Sequence, residues 1–351
     1  MIIFGIETSC DETAAAVVEN GIKEICSVVA SSKEFHEKTG GIVPEIAARK
    51  QVEFISPVIS EAFEKYRKYK GYKNIEEAYK DIDAVAVTVG PGLIGSLIVG
   101  IEAAKSLALF LNKPLIPVNH LIGHIYGNFI EDDENISKID FPAVVLLVSG
   151  GHTDLVLMKN HGDFEYLGGT LDDAAGEAYD KSARLLGLSK YLGGALLSKK
   201  ALECGKNSIK GKLPRPMIDQ DNFDFSFSGL KSAVKRLIEE KKYTESEIAR
   251  EFEDAAVEVL VKKTIKAAKT LKVKTVLLGG GVSANSFLRE SMKKECEKLK
   301  INFNVPPVRL CTDNAVYISS AAFFNQRGKI EKMEDLKSIE VNPSLGIIDL
   351  M

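Results

Sequence analysis

Two short apolar runs, residues 2–6 and 14–18, flank the polar segment Glu7-Thr-Ser-Cys-Asp-Glu-Thr13 at the start of the chain. Runs of that length about a tight polar turn predict a β-hairpin. The pattern returns over residues 143–158, AVVLLVSGGHTDLVLM, with Ser149, Gly150 and Gly151 at the tip. A second element also recurs, as AVAVTVGPGLIGS at 84–96 and TVLLGGGVSAN at 275–285. Each reads strand, glycine-rich loop, helix, and each precedes a further strand, at 114–118 and at 302–305. One hairpin and one strand–loop–helix–strand unit per half predict an internal duplication: two α/β lobes with mixed sheets.

The acidic stretch 131–140, EDDENISKID, is the expected boundary. It divides the chain into an N-terminal lobe, 1–136, and a C-terminal lobe, 137–351, that carries the later glycine loops and a mostly helical insertion over about 159–274. Within it Ile248, Phe252, Ala255 and Val259 recur at helical spacing and predict a helix over 246–269. A last helix is expected over 312–325, with Asp313 in its first turn, where the helix dipole favours a carboxylate. At 351 residues and 45% hydrophobic content, each lobe can bury its own core.

With 46 basic against 49 acidic residues the net charge is −3, so no global field attracts a polyanion. Any nucleic-acid contact must come from a local patch or from a partner protein. The segment Lys65-Tyr-Arg-Lys-Tyr-Lys-Gly-Tyr-Lys73 interleaves cations with aromatics and is a candidate, against the alternative of a solvated helix end. Five cysteines, Cys10, Cys26, Cys204, Cys296 and Cys311, are scattered and never spaced CxxC, which fits neither a disulfide framework nor a zinc knuckle. The first residues lack a basic leader and Glu7 breaks their apolar run, so the expectation is a cytoplasmic protein without a membrane segment.

The sharpest chemical signal is His120-Leu-Ile-Gly-His124. Histidines at i and i+4 share one helix face and can share a divalent cation, although the pair alone is equally compatible with two satisfied histidines. A zinc peptidase of this pattern needs a glutamate directly after the first histidine as general base, and Leu121 stands there. A distant carboxylate is the other source of a third ligand, and Cys311-Thr-Asp-Asn-Ala315 offers Asp313. Gly90-Pro-Gly-Leu-Ile-Gly95 satisfies GxGxxG but lacks the acidic residue about 20 positions on, and Ser96 excludes a Walker A loop. Glycines there serve an anion or merely ease a turn. The tips Ser149–Gly151 and Gly279–Gly281 can together hold a nucleotide on main-chain N–H groups, with Asn285 and His152 as side-chain contacts.

Ten ordered motifs spread through the chain, among them IETSCDET, GGIVPEIAAR, GPGLIGSL, HLIGH, LLVSGGHT, DDAAGEAYDK, LPRPM, DFSFSGLK, GGGVSAN and CTDNA. They resemble the threonylcarbamoyltransferase family of the bacterial TsaD type. The resemblance implies a two-lobed fold of the actin, hexokinase and heat-shock-70 superfamily. It also implies an acyltransferase that moves threonylcarbamoyl from threonylcarbamoyl-AMP to N6 of adenosine 37 in tRNAs reading codons that begin with A, releasing AMP. A sugar-kinase-like phosphotransferase or a metallopeptidase is the alternative.

Carried over residue by residue, the resemblance implies one divalent metal, Fe(II) or Zn(II), on His120, His124 and Asp313, lying between the lobes. It places substrate contacts at Leu147, Val148, Ser149, Gly150, Gly151, Asp180, Gly194 and Asn285. Asp11 and Glu12 are the candidates for a general base. The implied partners are tRNA, a separate synthase that makes the adenylate, a degenerate (TsaB-like) paralogue and a small P-loop (TsaE-like) ATPase. One motif departs from the family: Tyr191-Leu-Gly-Gly-Ala195 stands where two prolines are usual.

Overall fold

The computed structural model describes residues 1–131, 139–326 and 328–349, together with the backbone of Met333 but not its side chain. Most of the acidic stretch expected to divide the chain therefore lies outside the described residues. The chain forms two compact units, one of residues 1–136, 161–163 and 306–351, the other of residues 137–160 and 164–305.

In the first unit five strands stand in the order β3-β2-β1-β4-β5: β1 is Ile2–Glu7, β2 Glu12–Glu19, β3 Lys23–Ser31, β4 Ala84–Gly90 and β5 Leu115–Asn119. The hairpin β1-β2 and the pair β2-β3 are antiparallel, whereas β1-β4 and β4-β5 are parallel. Its helices are α1 (Lys33–Thr39), α2 (Pro44–Lys70), α3 (Ile75–Asp81), α4 (Ile94–Leu111) and α5 (His120–Tyr126).

The second unit repeats the plan. Its strands β6 (Ala143–Val148), β7 (Thr153–Asn160), β8 (Asp163–Gly169), β9 (Thr275–Gly279) and β10 (Asn302–Asn304) stand in the order β10-β9-β6-β7-β8. As in the first sheet, the hairpin β6-β7 is antiparallel and β6-β9 and β9-β10 are parallel. Helices α6 (Ala175–Leu185), α7 (Gly194–Glu203), α8 (Ser228–Glu240), α9 (Glu245–Thr270) and α10 (Ser286–Leu299) belong to this unit. The duplication read from hairpins and glycine loops is thus real, with a third strand, β3 or β8, added at the edge of each hairpin.

One element corrects the expected division. Helix α11 (Ala315–Phe324) packs on β1, β2 and α5, so residues 306–351 join the first unit and not the second. The pattern of β2 shows why. Ala15 and Val17 face the core under α2 and α4, while Ala14, Ala16 and Val18 face Ala315 and Val316 of α11. A strand buried on both faces reads as an unbroken apolar run, and its second face needs a cover. Helix α4 is long and apolar enough to cross a bilayer by length and composition, yet Leu97, Ile101, Ala104 and Ala108 are buried here and the helix packs on β4 and α2.

Candidate functional site

The histidine pair is set by a cap. Asn119, the last residue of β5, accepts from the N–H groups of Leu121 and Ile122, which starts α5 at His120 and puts His124 one turn later. The two rings stand 4.6 Å apart between centroids. A second asparagine plays the same part opposite them: Asn314 caps α11 through the N–H groups of Val316 and Tyr317. Asp313 therefore lies in the turn before α11, not in its first helical turn as expected.

Close approach of α5 and α11 brings the three groups together. A Cβ at Gly123 would stand 2.7 Å from the Tyr317 ring and 2.8 Å from Ile318, so only glycine lets α11 come this near. Asp313 Oδ1 then lies 3.6 Å from His120 Nε2 and 3.5 Å from His124 Nε2, and all three atoms are within 4.8 Å of one another. These gaps are long for hydrogen bonds. They match donors about a common ion, since ligands bonded at about 2.0–2.1 Å in a tetrahedron stand about 3.3 Å apart. The donor set thus fits a divalent metal. All three donors belong to the first unit, which corrects the expectation that the site spans the two lobes.

Behind His120 stands a residue the motif reading passed over. Glu7 is fully buried, and its Oε2 lies 3.1 Å from His120 Nδ1 while Thr88 donates to the same oxygen. Its other oxygen accepts from the Ser9 N–H at 2.5 Å. Burial pulls His120 down, but the Glu7 and Asp313 carboxylates outweigh it and push the ring up to about 9. Burial leaves His124 below its ordinary value, and its Nδ1 is buried with no hydrogen-bond partner among the described residues. Asp313 is held down by the two histidines against the opposing effect of burial. A histidine with a carboxylate behind it is the usual support of a metal ligand, and the sequence offered Glu7 only as the first residue of a polar turn.

The Ser-Cys-Asp-Glu turn next to Glu7 is clamped by one side chain, the buried Gln51 of α2, whose amide donates to the carbonyls of Thr8, Cys10 and Glu12. Ser32 donates to the Asp11 carbonyl, and Ser31 to the Glu12 carboxyl. Burial, the nearby Asp313 and a hydrogen bond with Asp11 push Glu12 up to about 10, so near neutral pH this carboxyl carries a proton. The GPGLIGS loop packs on the same turn: Leu93 N donates to Ser9 O, Thr8 donates to Ser96 O, and a Cβ at Gly92 would stand 2.5 Å from Ser9 O. Its glycines are occupied by the protein's own chain, which accounts for the incomplete dinucleotide fingerprint.

In the second unit the two glycine tips meet. Gly280, at φ +86°, lies where a Cβ would stand 2.5 Å from Val148 O and 3.2 Å from the Ser149 side chain. Gly176 N at the start of α6 donates to Ser149 O. No atom lies within 4 Å of a Cβ position at Gly150 or Gly151, so the main chain there is open. Leu147 and Val148 are fully buried strand residues and could meet a ligand only through their backbone. Asp180 accepts from the Gly194 N–H at 2.8 Å. Asn285 caps α10 through Leu288 N and donates at 2.9 Å to both Ser198 of α7 and Glu253 of α9. Asp180, Gly194 and Asn285 thus converge through α7, and His152 N donates to Ser149 Oγ within its own turn.

Other motifs have structural roles. Asp172 accepts from Ser226, Phe227 N and Ser228, joining DDAAG to DFSFSG, and Arg215 of LPRPM pairs with the buried Glu251. Leu192 has φ +49°, which proline cannot adopt, so the departure in YLGGA changes the backbone of that turn. The Lys65–Lys73 segment ends α2, where Lys65, Arg67, Lys68 and Lys70 pair with Glu61, Glu64 and Asp81 and Tyr66 is buried. That is the solvated helix end.

Two five-stranded sheets of this order, with a His/His/Asp cluster in the first unit, define a duplicated α/β fold of the actin and hexokinase type. The fold is shared with component A of (R)-2-hydroxyglutaryl-CoA dehydratase from Acidaminococcus fermentans, at TM-score 0.51 and 15% identity over 92% of this chain and 98% of that one. HypF of T. kodakarensis superposes at TM-score 0.55 and 17% identity, over 92% of this chain and 47% of that one. Residues 23–320 match the model of the TsaD family, tRNA N6-adenosine threonylcarbamoyltransferase, and the chain belongs to that family. The transferase of that name from Bacillus subtilis is 50% identical over 327 residues, 92% of this chain and 89% of the relative, and that of Bacillus thuringiensis is 46% identical over 99% and 96%. The chain is accordingly a transferase that forms threonylcarbamoyl-adenosine in tRNA.

Proposed function

We propose that the second unit holds threonylcarbamoyl-AMP on the open main chain of Ser149–Gly151 and on the linked residues Asp180, Gly194 and Asn285, for attack by N6 of adenosine 37. The observation that carries the reading is the convergence of His120, His124 and Asp313 on one point in a chain of this family. An Fe(II) or Zn(II) ion suits these nitrogen and oxygen donors and, when bound, supplies Lewis acidity toward an anionic acyl donor. Glu7 orients His120 by taking its Nδ1–H, which leaves Nε2 as the ligand atom. Gly123 sets the approach of α11, and Asn314 fixes the turn that presents Asp313.

The bond that forms joins adenine N6 to the carbamoyl carbon, and the one that breaks releases AMP. The attacking amine is conjugated with its ring and sheds its proton late. Asp11 and Glu12, on the turn that Gln51 clamps, are the candidates for a general base. Leu121 is buried where a peptidase would place its general base, so no peptide hydrolysis is proposed. Family resemblance supports a cytoplasmic enzyme that receives the adenylate from a separate synthase and works with a TsaB-like relative and a TsaE-like ATPase.

The test is reconstitution of the purified chain with synthase, threonine, bicarbonate, ATP and unmodified tRNA, with and without the helper proteins, scored for the modified nucleoside. Modification that depends on His120 supports the reading. Its absence in every combination, with folded and metal-loaded protein, overturns it.

A further inference from the structure

We propose that the groove between α9 and α10 of the second unit is the surface that receives the phosphate backbone of the substrate tRNA. This rests on the transferase reading above. The groove has a volume of about 950 Å³ and carries Lys210, Arg250, Lys262, Lys266, Lys269 and Lys294. A second depression shares Lys269 and adds Lys272, Lys274 and Lys300. Nine cations thus face four carboxylates, in a chain whose net charge is −3. The excess is local, which is the form an RNA footprint must take on an acidic protein.

The pairing of these charges sharpens the point. Asp254, Glu258 and Glu295 are already paired, to Arg250, Arg215 and Lys298. Lys269, Lys272, Lys274, Lys294 and Lys300 are exposed, and none has a carboxylate within ion-pair distance among the described residues. Their ammonium groups come from the end of α9, the entry to β9 and the far half of α10, with Lys269, Lys272 and Lys274 in one lysine-rich run free of acidic residues. Basic side chains without internal partners are those that exchange counterions for phosphates.

Position adds a second argument. At its near end the groove reaches Arg250 and Phe287, which stack at 4.2 Å. Arg250 lies 4.0 Å from Glu253, the residue that accepts from Asn285 in the nucleotide network. From Arg250 to Thr270 the helix runs about 30 Å at about 1.5 Å per residue, enough to meet successive phosphates of one tRNA arm. A stem on this track would lead its loop toward the donor residues of the same unit.

The test compares the wild-type enzyme with a variant in which Lys269, Lys272 and Lys294 are glutamine, and with a control in which Lys235, Lys241 and Lys242 of the α8 end are glutamine. Unmodified tRNA binding is measured by fluorescence anisotropy across a salt series, alongside AMP binding and circular dichroism. The groove variant is expected to lose at least tenfold in tRNA affinity at moderate salt. Its slope of log K against log salt should fall by about one per lysine removed, with AMP binding unchanged. Wild-type affinity and slope in the groove variant, or an equal loss in the control, overturns the proposal. If the wild type modifies tRNA while the groove variant matches it, the surface is wrong and the transferase reading stands; if the wild type never modifies tRNA, the transferase reading itself has failed.

Discussion

His120 Nδ1 lies 3.1 Å from the buried carboxylate of Glu7, so the first ring of the histidine pair is oriented from β1, 113 residues away in the chain. That contact fixes the tautomer, and it should set metal affinity more than folding. Glu7→Gln keeps the shape and an acceptor but removes the charge. Support of this kind is worth about 10–100-fold in metal affinity. The expected outcome is a drop of that size, read by chelator competition and by metal content per chain after dialysis, with an unchanged circular dichroism spectrum. Wild-type affinity in the variant would show that Glu7 merely fills the core.

Gly123 provides an independent check on the same centre. A methyl group there meets Tyr317 at 2.7 Å, against a helix whose preceding turn bears Asp313. Gly123→Ala must push α11 away or distort α5. Overpacking of this kind costs about 1–3 kcal/mol. A lowered urea midpoint together with loss of metal retention is expected; a stable variant that still holds its metal would mean that α5 and α11 are less tightly coupled than their packing implies.

Much of this was legible in the sequence, and the limits have physical causes. The hairpins and glycine loops announced the duplication because short apolar runs about polar tips are local signals. HLIGH announced two histidines on one helix face for the same reason. Strand β3 was missed because Lys23–Ser31 alternates only weakly, half of it facing solvent. Asp313 was placed in the wrong unit because the partner of β2's second face is chosen by three-dimensional packing, which no periodicity records. Glu7 read as the first residue of a polar turn, since its place at the end of β1 and its contact with His120 arise only in the folded chain.

A pH-dependent effect is expected at Asp154 on β7, which takes a hydrogen bond from Tyr166 at 3.2 Å and which burial pushes up to about 6. An unfolded aspartate titrates near about 3.9. Between those values the folded chain binds the extra proton, so this residue's contribution to stability falls as pH rises from about 4 to about 6 and is constant above. Asp154→Asn removes the titration and keeps the acceptor. The melting temperature of the variant should exceed wild type at pH 8, with the difference shrinking as pH falls toward 4. An equal difference at both values would assign the effect to something other than ionisation.

Asn285 separates cap from network. Its Oδ1 caps α10 at Leu288 N, and its amide donates to Ser198 and to Glu253, whose second oxygen is buried 4.0 Å from Arg250 without a hydrogen-bond partner among the described residues. Asn285→Ser retains a capping oxygen but gives up the reach to α7 and α9. Asn285→Ala gives up both, adding loss of a cap, about 1 kcal/mol, to the network lost in either variant. Urea midpoints should therefore fall in the order wild type, serine, alanine. AMP binding should weaken to the same degree in both variants, because it depends on the network and not on the cap. If the serine variant instead bound AMP like wild type, Asn285 would be a helix cap alone, and the nucleotide would have to rest on the Ser149–Gly151 tip without it.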